Sequence, residues 1–420
     1  MRQLRLPACA ALYGGSVALL LVSHLGHGWG FVDLAVYRKG GQAALDGAHL
    51  YALRFPGALA FTYPPIAAML FAGLTLASPA TDQALVTGAS LALLPAMLYC
   101  ALRLEPASSW LARRAALELA LAASAGAVWL EPVWTTLRYG QIDVLIATLV
   151  LYDLSRPDSA RHKGVGIGLA SALKLTPAIF VAYLALTGRL RAAGVALAVF
   201  CATVAAGFAA LPGDSGEYWG GAFLQSNRVG RIENAANQAL RGAWARLLHS
   251  VDVQTVWLAS AGVIALAGMA LAVRAGQPTD RRPRDDVRGF SLCALTGLLV
   301  SPISWSHHWT LAVPALLLLA LGAYRQASIV KLAAPGAIAI VAASHMIWWV
   351  PIDRPPHSEL HLDALQLVYA NAYVLIGLAV LAIAAWQTLG STRACTAGDP
   401  CVERPLARLA DQRIPAETSG

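Results

Sequence analysis

A lone aspartate, Asp33, sits in the stretch GFVDLAVYRKGGQAALDGAHLY, flanked by Phe31, Val32, Leu34, Val36 and Tyr37. An ionised carboxylate among such neighbours is partly desolvated, which is costly unless it has partners or a task. Desolvation also lifts a carboxyl pKa toward the range of a general base. Lys174 interrupts the apolar run GIGLASALKLTPAIF, where a lysine costs about 2.5–3.5 kcal/mol at the centre of a membrane span. It either snorkels to a surface or meets an anionic partner such as phosphate in a cavity. His307 and His308 stand side by side in SPISWSHHWTLAVP, between Trp305 and Trp309. Aromatic belts account for the tryptophans. Paired imidazoles can hydrogen-bond an anionic oxygen or ligate a metal.

Further polar residues punctuate apolar sequence. Glu131, Arg138, Gln141 and Asp143 lie in EPVWTTLRYGQIDVLIATLVLYDL, and Arg228, Arg231, Asn234, Asn237, Gln238 and Arg241 lie in SNRVGRIENAANQALRGAWARL, which would also suit an interfacial helix. Arg38 shares the first polar stretch with Asp33, where Asp46 and His49 read as loop residues. A carboxylate base with cationic phosphate binders on one membrane face suits group transfer from a lipid-linked phosphate donor. Neither a Walker motif nor a GxGxxG in a βαβ context is present, so a soluble nucleotide-sugar donor is not expected.

The elements that must hold these groups are membrane spans. Of the 420 residues 57% are hydrophobic and 13% charged, with a mean hydropathy of +0.58, against about 25% charged in soluble domains. A soluble chain so composed would expose large apolar patches. The expected fold is an all-α polytopic membrane protein. At about twenty apolar residues per span, spans are expected at roughly 7–26, 61–77, 84–103, 115–136, 140–154, 164–187, 191–212, 252–273, 289–304, 308–323, 328–350 and 366–388. That makes about ten to twelve. The breaks Tyr63-Pro64-Pro65 and Thr176-Pro177 predict bent or re-entrant segments at 61–77 and 164–187.

Basic clusters at Arg2 and Arg5, at Arg103, Arg113 and Arg114, at 155–164, at Arg189 and Arg191, and at 274–290 are assigned to the cytoplasm. The outer segments are then 27–60, 213–250, the turn at 306–308 and 351–363. The organisation is one transmembrane domain over 1–390, with a cytoplasmic linker at 274–288, followed by a polar tail over 391–420 expected to be poorly ordered. The net charge of +8 fits Lys- and Arg-rich cytoplasmic loops. Nucleic acid is not an expected partner, since no basic stripe is interleaved with stacking aromatics. The six cysteines form no CxxC and no Cys/His cluster of zinc spacing, so neither a structural metal nor a disulfide framework is expected. The first apolar run is long and lacks a convincing cleavage site, which favours a retained first span over a signal peptide.

The ordered motifs VDLAVY, FTYPP, RYGQID, ALKLTP, NQALRG and SPISWSHHW, covering about residues 28 to 350, resemble family 87 of the glycosyltransferases. These are membrane enzymes of GT-C architecture from actinobacterial cell envelopes. The resemblance implies an extracytoplasmic active site in the cytoplasmic membrane, a polyprenyl-phosphate-mannose donor and a membrane glycolipid acceptor. That acceptor is a phosphatidylinositol mannoside, or alternatively the backbone of lipomannan and lipoarabinomannan. It implies inverting chemistry that makes an α-1,2 bond, with Asp33 as base and His307 or His308 functional. Lys174, Arg241 and Gln141 become candidates for donor phosphate and sugar contacts. Asn237, Tyr63 and Arg38 complete the binding candidates, Tyr63 with Pro64 and Pro65 also shaping the loop. No cofactor is implied. The leaving group is already a phosphate, so a metal is not required, although Asp33 and the histidines could ligate one. An arabinofuranosyltransferase using polyprenyl-phosphate arabinose would share the fold and the early aspartate. A lipid or sugar transporter would show symmetric repeats and polar residues at the midplane; no repeat is visible and the polar residues gather near one face.

Overall fold

The computed structural model describes residues 5–25, 28–54, 59–105, 112–279 and 283–396. Among these residues there is no strand, only the isolated bridges Arg54–Ala60 and Asn237–Trp305. The N-terminal half comprises α1 (Leu6–Leu25), α2 (Val32–Asp46), α3 (Pro65–Phe71), α4 (Pro79–Leu102), α5 (Arg113–Ala127), α6 (Glu131–Tyr139), α7 (Asp143–Leu154), α8 (Val165–Leu173), α9 (Ile179–Leu186) and α10 (Leu190–Ala210). Then follow α11 (Pro212–Trp219), α12 (Leu240–Leu247), α13 (Gln254–Gly276), α14 (Asp286–Val300), α15 (Val313–Arg325), α16 (Ile329–Ala343), α17 (Ala364–Ala370) and α18 (Ala372–Thr396).

Seven helices among the described residues are long and apolar enough to cross a membrane: Leu6–His24, Pro79–Leu102, Leu190–Ala210, Gln254–Gly276, Ser306–Arg325, Ile329–Trp348 and Ala372–Leu389. The pair α5 and α6, bent by 77°, makes an eighth if counted as one broken span. The protein is a multi-pass membrane protein. Other expected spans are present as shorter or interrupted helices, for reasons visible in the sequence. Pro65 opens α3, which gives way to a 3-10 turn at Ala72–Leu76. The 164–187 segment stops at Leu173, passes through a 3-10 turn at Thr176–Ala178 and resumes as α9. Proline lacks the amide proton and clashes with the preceding turn, so Pro177 separates α8 from α9, and Pro64 and Pro65 keep the other run from becoming helical before residue 65.

Leu266, Ile329 and Trp386 are 78%, 86% and 79% exposed, the pattern of a surface facing lipid rather than water. Inside, α1 packs on α5, α4 on α7, α8 on α10 and α13 on α14. Small residues permit these approaches: a Cβ on Gly168 would lie 2.6 Å from the Ala196 carbonyl oxygen.

A second core, separate from the main one, is built from Leu34, Tyr37, Tyr51, Phe61, Phe71 and Tyr218. Much of the segment expected as a loop at 27–60 is therefore the helix α2, which Asp46 closes. The 213–250 segment is also organised. Arg246 is fully buried and donates to Asn371 Oδ1 at 2.7 and 3.1 Å, and to the carbonyls of Glu233, Asn234 and Asn237 at 3.1, 2.7 and 3.0 Å. Helix α18 runs to Thr396, past the expected start of the tail at 391; the rest of the tail lies outside the described residues, as do 280–282 of the linker.

Candidate active site

Asp33 is the second residue of α2, in the first turn, where free backbone N–H groups and the helix dipole favour negative charge. The preceding Phe31 is left-handed, with φ 42°, and its amide donates to the Arg138 carbonyl at 3.0 Å. The start of α2 is thereby tied to the end of α6. Gly140 ends α6 with φ 68°, and a Cβ there would lie 2.7 Å from Leu34 Cβ. Only glycine lets the RYG turn rest directly on α2, and that contact delivers Gln141 and Asp143 to Asp33.

The Asp33 side chain keeps some solvent access yet is surrounded by protein. Desolvation pushes its carboxyl up to about 6, against a hydrogen bond from Gln141 and the positive charge of Lys174, while Asp143 adds to the rise. That is a carboxyl suited to accept a proton near neutral pH.

Lys174 follows the last residue of α8 in extended conformation, so it stands at a helix break rather than inside a span. Its Nζ donates to Asp143 Oδ1 at 2.9 Å, with both side chains largely buried. His307 Nε2 lies 4.0 Å from Asp143 Oδ2, and the rings of His307 and His308 meet edge to face at 4.8 Å. The Lys174 charge reaches both imidazoles. Asp143 Oδ2, His307 Nε2 and His308 Nδ1 are buried without a protein hydrogen-bond partner, and ligand atoms of these residues lie within 4.8 Å of one another. A carboxylate and two imidazoles form a donor set that a transition metal can use. The ammonium already on that carboxylate weighs against a second cation there and in favour of an anion, such as phosphate.

The structure thus brings together Asp33, Gln141, Tyr63, Lys174, His307 and His308. The remaining predicted residues are occupied elsewhere. The Arg38 guanidinium pairs with buried Asp82 and the Leu74 carbonyl, clamping α2 to α4. Asn237 is fully buried; its amide donates to the Ile232 carbonyl at 2.9 Å and accepts from the Ser304 amide at 3.0 Å. It anchors the segment that leads into the histidines. Arg241 donates to Ser226 Oγ and lies over the Trp257 ring, 5.1 Å from its centre. Within the assembled group, Gln141 is buried and bonded to Tyr37 and Tyr63 rather than free for a sugar.

Two further residues matter here that the sequence marked only as polar punctuation. Asp143 is the partner of Lys174. Glu131, fully buried, accepts from Thr135 Oγ1 at 2.7 Å, Ser306 Oγ at 2.7 Å, Trp348 Nε1 at 3.0 Å and Tyr373 Oη at 2.9 Å. Its hold on Ser306 fixes the residue before the histidine pair.

Residues 61–302 match glycosyltransferase family 87. The chain belongs to that family. Within the matched segment of this family 87 enzyme lie Tyr63, Gln141, Asp143 and Lys174, while Asp33 precedes it and the histidines follow it. A relative from Mycobacterium tuberculosis, named polyprenol-phosphate-mannose-dependent alpha-(1-2)-phosphatidylinositol mannoside mannosyltransferase, is 34% identical over 84% of each chain. A relative of the same name from Mycolicibacterium smegmatis is 35% identical over 90% of this chain and 88% of its own. A Mycobacterium tuberculosis polyprenol-phosphate-mannose-dependent alpha-(1-2)-phosphatidylinositol pentamannoside mannosyltransferase is 34% identical over 71% of this chain and 68% of its own. No solved structure matches the chain.

Proposed function

We propose that this family 87 enzyme moves mannose from polyprenyl-phosphate mannose to a hydroxyl of a phosphatidylinositol mannoside, forming an α-1,2 bond. Transfer takes place on the extracytoplasmic side of the cytoplasmic membrane. The observation that carries the reading is a half-buried carboxyl poised near 6 beside a lysine, whose partner Asp143 also meets the histidine pair, in a chain whose relatives bear that name. Asp33 takes the proton of the acceptor hydroxyl as its oxygen attacks the anomeric carbon. The bond from that carbon to the phosphate oxygen breaks, and polyprenyl phosphate leaves with the electron pair. Attack opposite the departing phosphate inverts the centre. Lys174 and the unpartnered imidazole nitrogens receive the phosphate; as charge builds on it, Lys174 shifts its attraction from Asp143 to the leaving oxygen.

The relatives named for mannosides and for pentamannosides leave two acceptors, differing in mannose number. Membranes expressing the protein, supplied with radiolabelled polyprenyl-phosphate mannose and a ladder of phosphatidylinositol mannosides, should label one rung of the ladder. Asp33→Asn should abolish the labelling. Labelling from polyprenyl-phosphate arabinose alone, or full turnover by Asp33→Asn, would sink the proposal.

A further inference from the structure

Behind Asp33 lies a ring of three side chains that no part of the transfer step uses. Tyr37 is one helical turn beyond Asp33 on α2 and 1% exposed; Gln141 is 2% exposed. The Tyr37 ring is wedged against Phe71, stacked at 4.3 Å, and meets Tyr63 edge-on at 5.1 Å. Its hydroxyl donates to Gln141 Oε1. The two phenol oxygens are 3.0 Å apart, and Gln141 Nε2 donates to Tyr63 Oη at 3.4 Å. The amide also reaches the Asp33 carboxylate.

Counting protons fixes the direction of every bond. A phenol has one donor and a carboxamide has two. Tyr37 has spent its proton on Gln141, so the contact between the phenols must run from Tyr63 to the Tyr37 oxygen. Tyr63 Oη then accepts one N–H of Gln141. The ring closes with one donor left over, the second N–H, and that donor faces Asp33. Turning the Gln141 amide over would break the bond from Tyr37 and set a carbonyl oxygen against a carboxylate. The geometry assigns Tyr37 and Tyr63 as positioning residues that act through Gln141, presenting a single N–H to Asp33 and holding its carboxylate ionised and oriented. This assignment rests on the reading of Asp33 as the base.

The groups facing Asp33 are Lys174 from the end of α8, Asp143 from the start of α7, Tyr37 from α2, Tyr63 before α3 and Tyr139 from the end of α6. Burial pushes the Tyr37 and Tyr63 hydroxyls well up, so both remain donors through the working range. Asp143 is matched by Lys174, and the imidazoles meet that pair rather than the ring. The ring's effect is therefore read in the acid limb of the pH profile.

The test measures kcat/KM against pH for the full-length enzyme in membranes or detergent, with Tyr37→Phe, Gln141→Leu, Gln141→Glu and Asp33→Asn. A hydrogen bond to a charged group corresponds to roughly one to two pH units. Tyr37→Phe and Gln141→Leu should each move the acid limb up by about one unit, with activity about fivefold lower at pH 6 and recovering to within about threefold at pH 8. Gln141→Glu should move it further, since two carboxyls then face each other. An unmoved limb, whether activity is unchanged or lost equally at every pH, would overturn the assignment. Tyr37→Phe removes one oxygen from a packed ring, so it still decides the matter if a Gln141 variant fails to accumulate. A fully active Asp33→Asn would instead refute the base, on which the assignment stands.

Discussion

Asp33 must lose its proton to act, and its carboxyl is held near 6 chiefly by desolvation. Transfer should therefore be half-maximal near pH 6 and fall about tenfold per unit below it. A flat profile between pH 5 and 7.5 would remove the base assignment. The same shift has a stability consequence with a definite sign. The folded carboxyl ionises later than an unfolded aspartate, at about 3.9, so folding favours the proton, and stability declines as pH rises through that interval. Asp33→Asn should then melt at least as high as wild type at pH 7 in the same detergent, while inactive. A lower melting temperature would mean that the charge is structurally required. Lys174 invites a paired comparison. Lys174→Met strands Asp143 in a buried site and should cost about 3–5 kcal/mol in stability. Adding Asp143→Asn should restore the fold but not donor binding. Normal KM for donor in that double variant would exclude Lys174 from the phosphate site.

At the scale of elements, the turn between α6 and α7 decides whether the site exists. Gly140→Ala adds a methyl 2.7 Å from Leu34 Cβ at φ 68°. The turn must lift off α2, taking Gln141 and Asp143 with it, and kcat should fall by about 10²-fold, as small misplacements of catalytic groups do. Unimpaired kcat would show that the turn has slack. The sequence marked RYGQID as polar punctuation in apolar chain, and Asp33 and Lys174 as misfits, because a charge among apolar residues is conspicuous in one dimension. Pairing is not. Asp143 and Lys174 are 31 positions apart and meet only because α7 and α8 fold back on each other. Arg38 and Asn237 looked free for the same reason, their partners Asp82 and Ser304 lying 44 and 67 residues away. Tyr37 was within reach of the sequence, since four residues after Asp33 on a helix is the same face.

Over the whole molecule, hydropathy located the segments well; seven of the described helices are long and apolar enough to cross, and the other expected spans are shorter or interrupted. Runs 61–77 and 164–187 are apolar but short, since prolines limit their helices, and Leu70, Leu76 and Leu186 stay exposed as on the long apolar helices. Orientation belongs to this scale. With its native cysteines replaced, the protein carrying Glu217→Cys on the exposed face of α11 should react with an impermeant maleimide added outside intact cells. Ser159→Cys, in the basic 155–164 segment, should react only after permeabilisation. The reverse result would turn the active site toward the cytoplasm. Glu131 gives the assembly its least obvious property. Because one carboxylate ties the approach to the histidines to Trp348 and to Tyr373 on α18, the imidazoles have no address of their own. A small molecule that prised α18 from α6 would silence the enzyme from behind, competing with neither lipid.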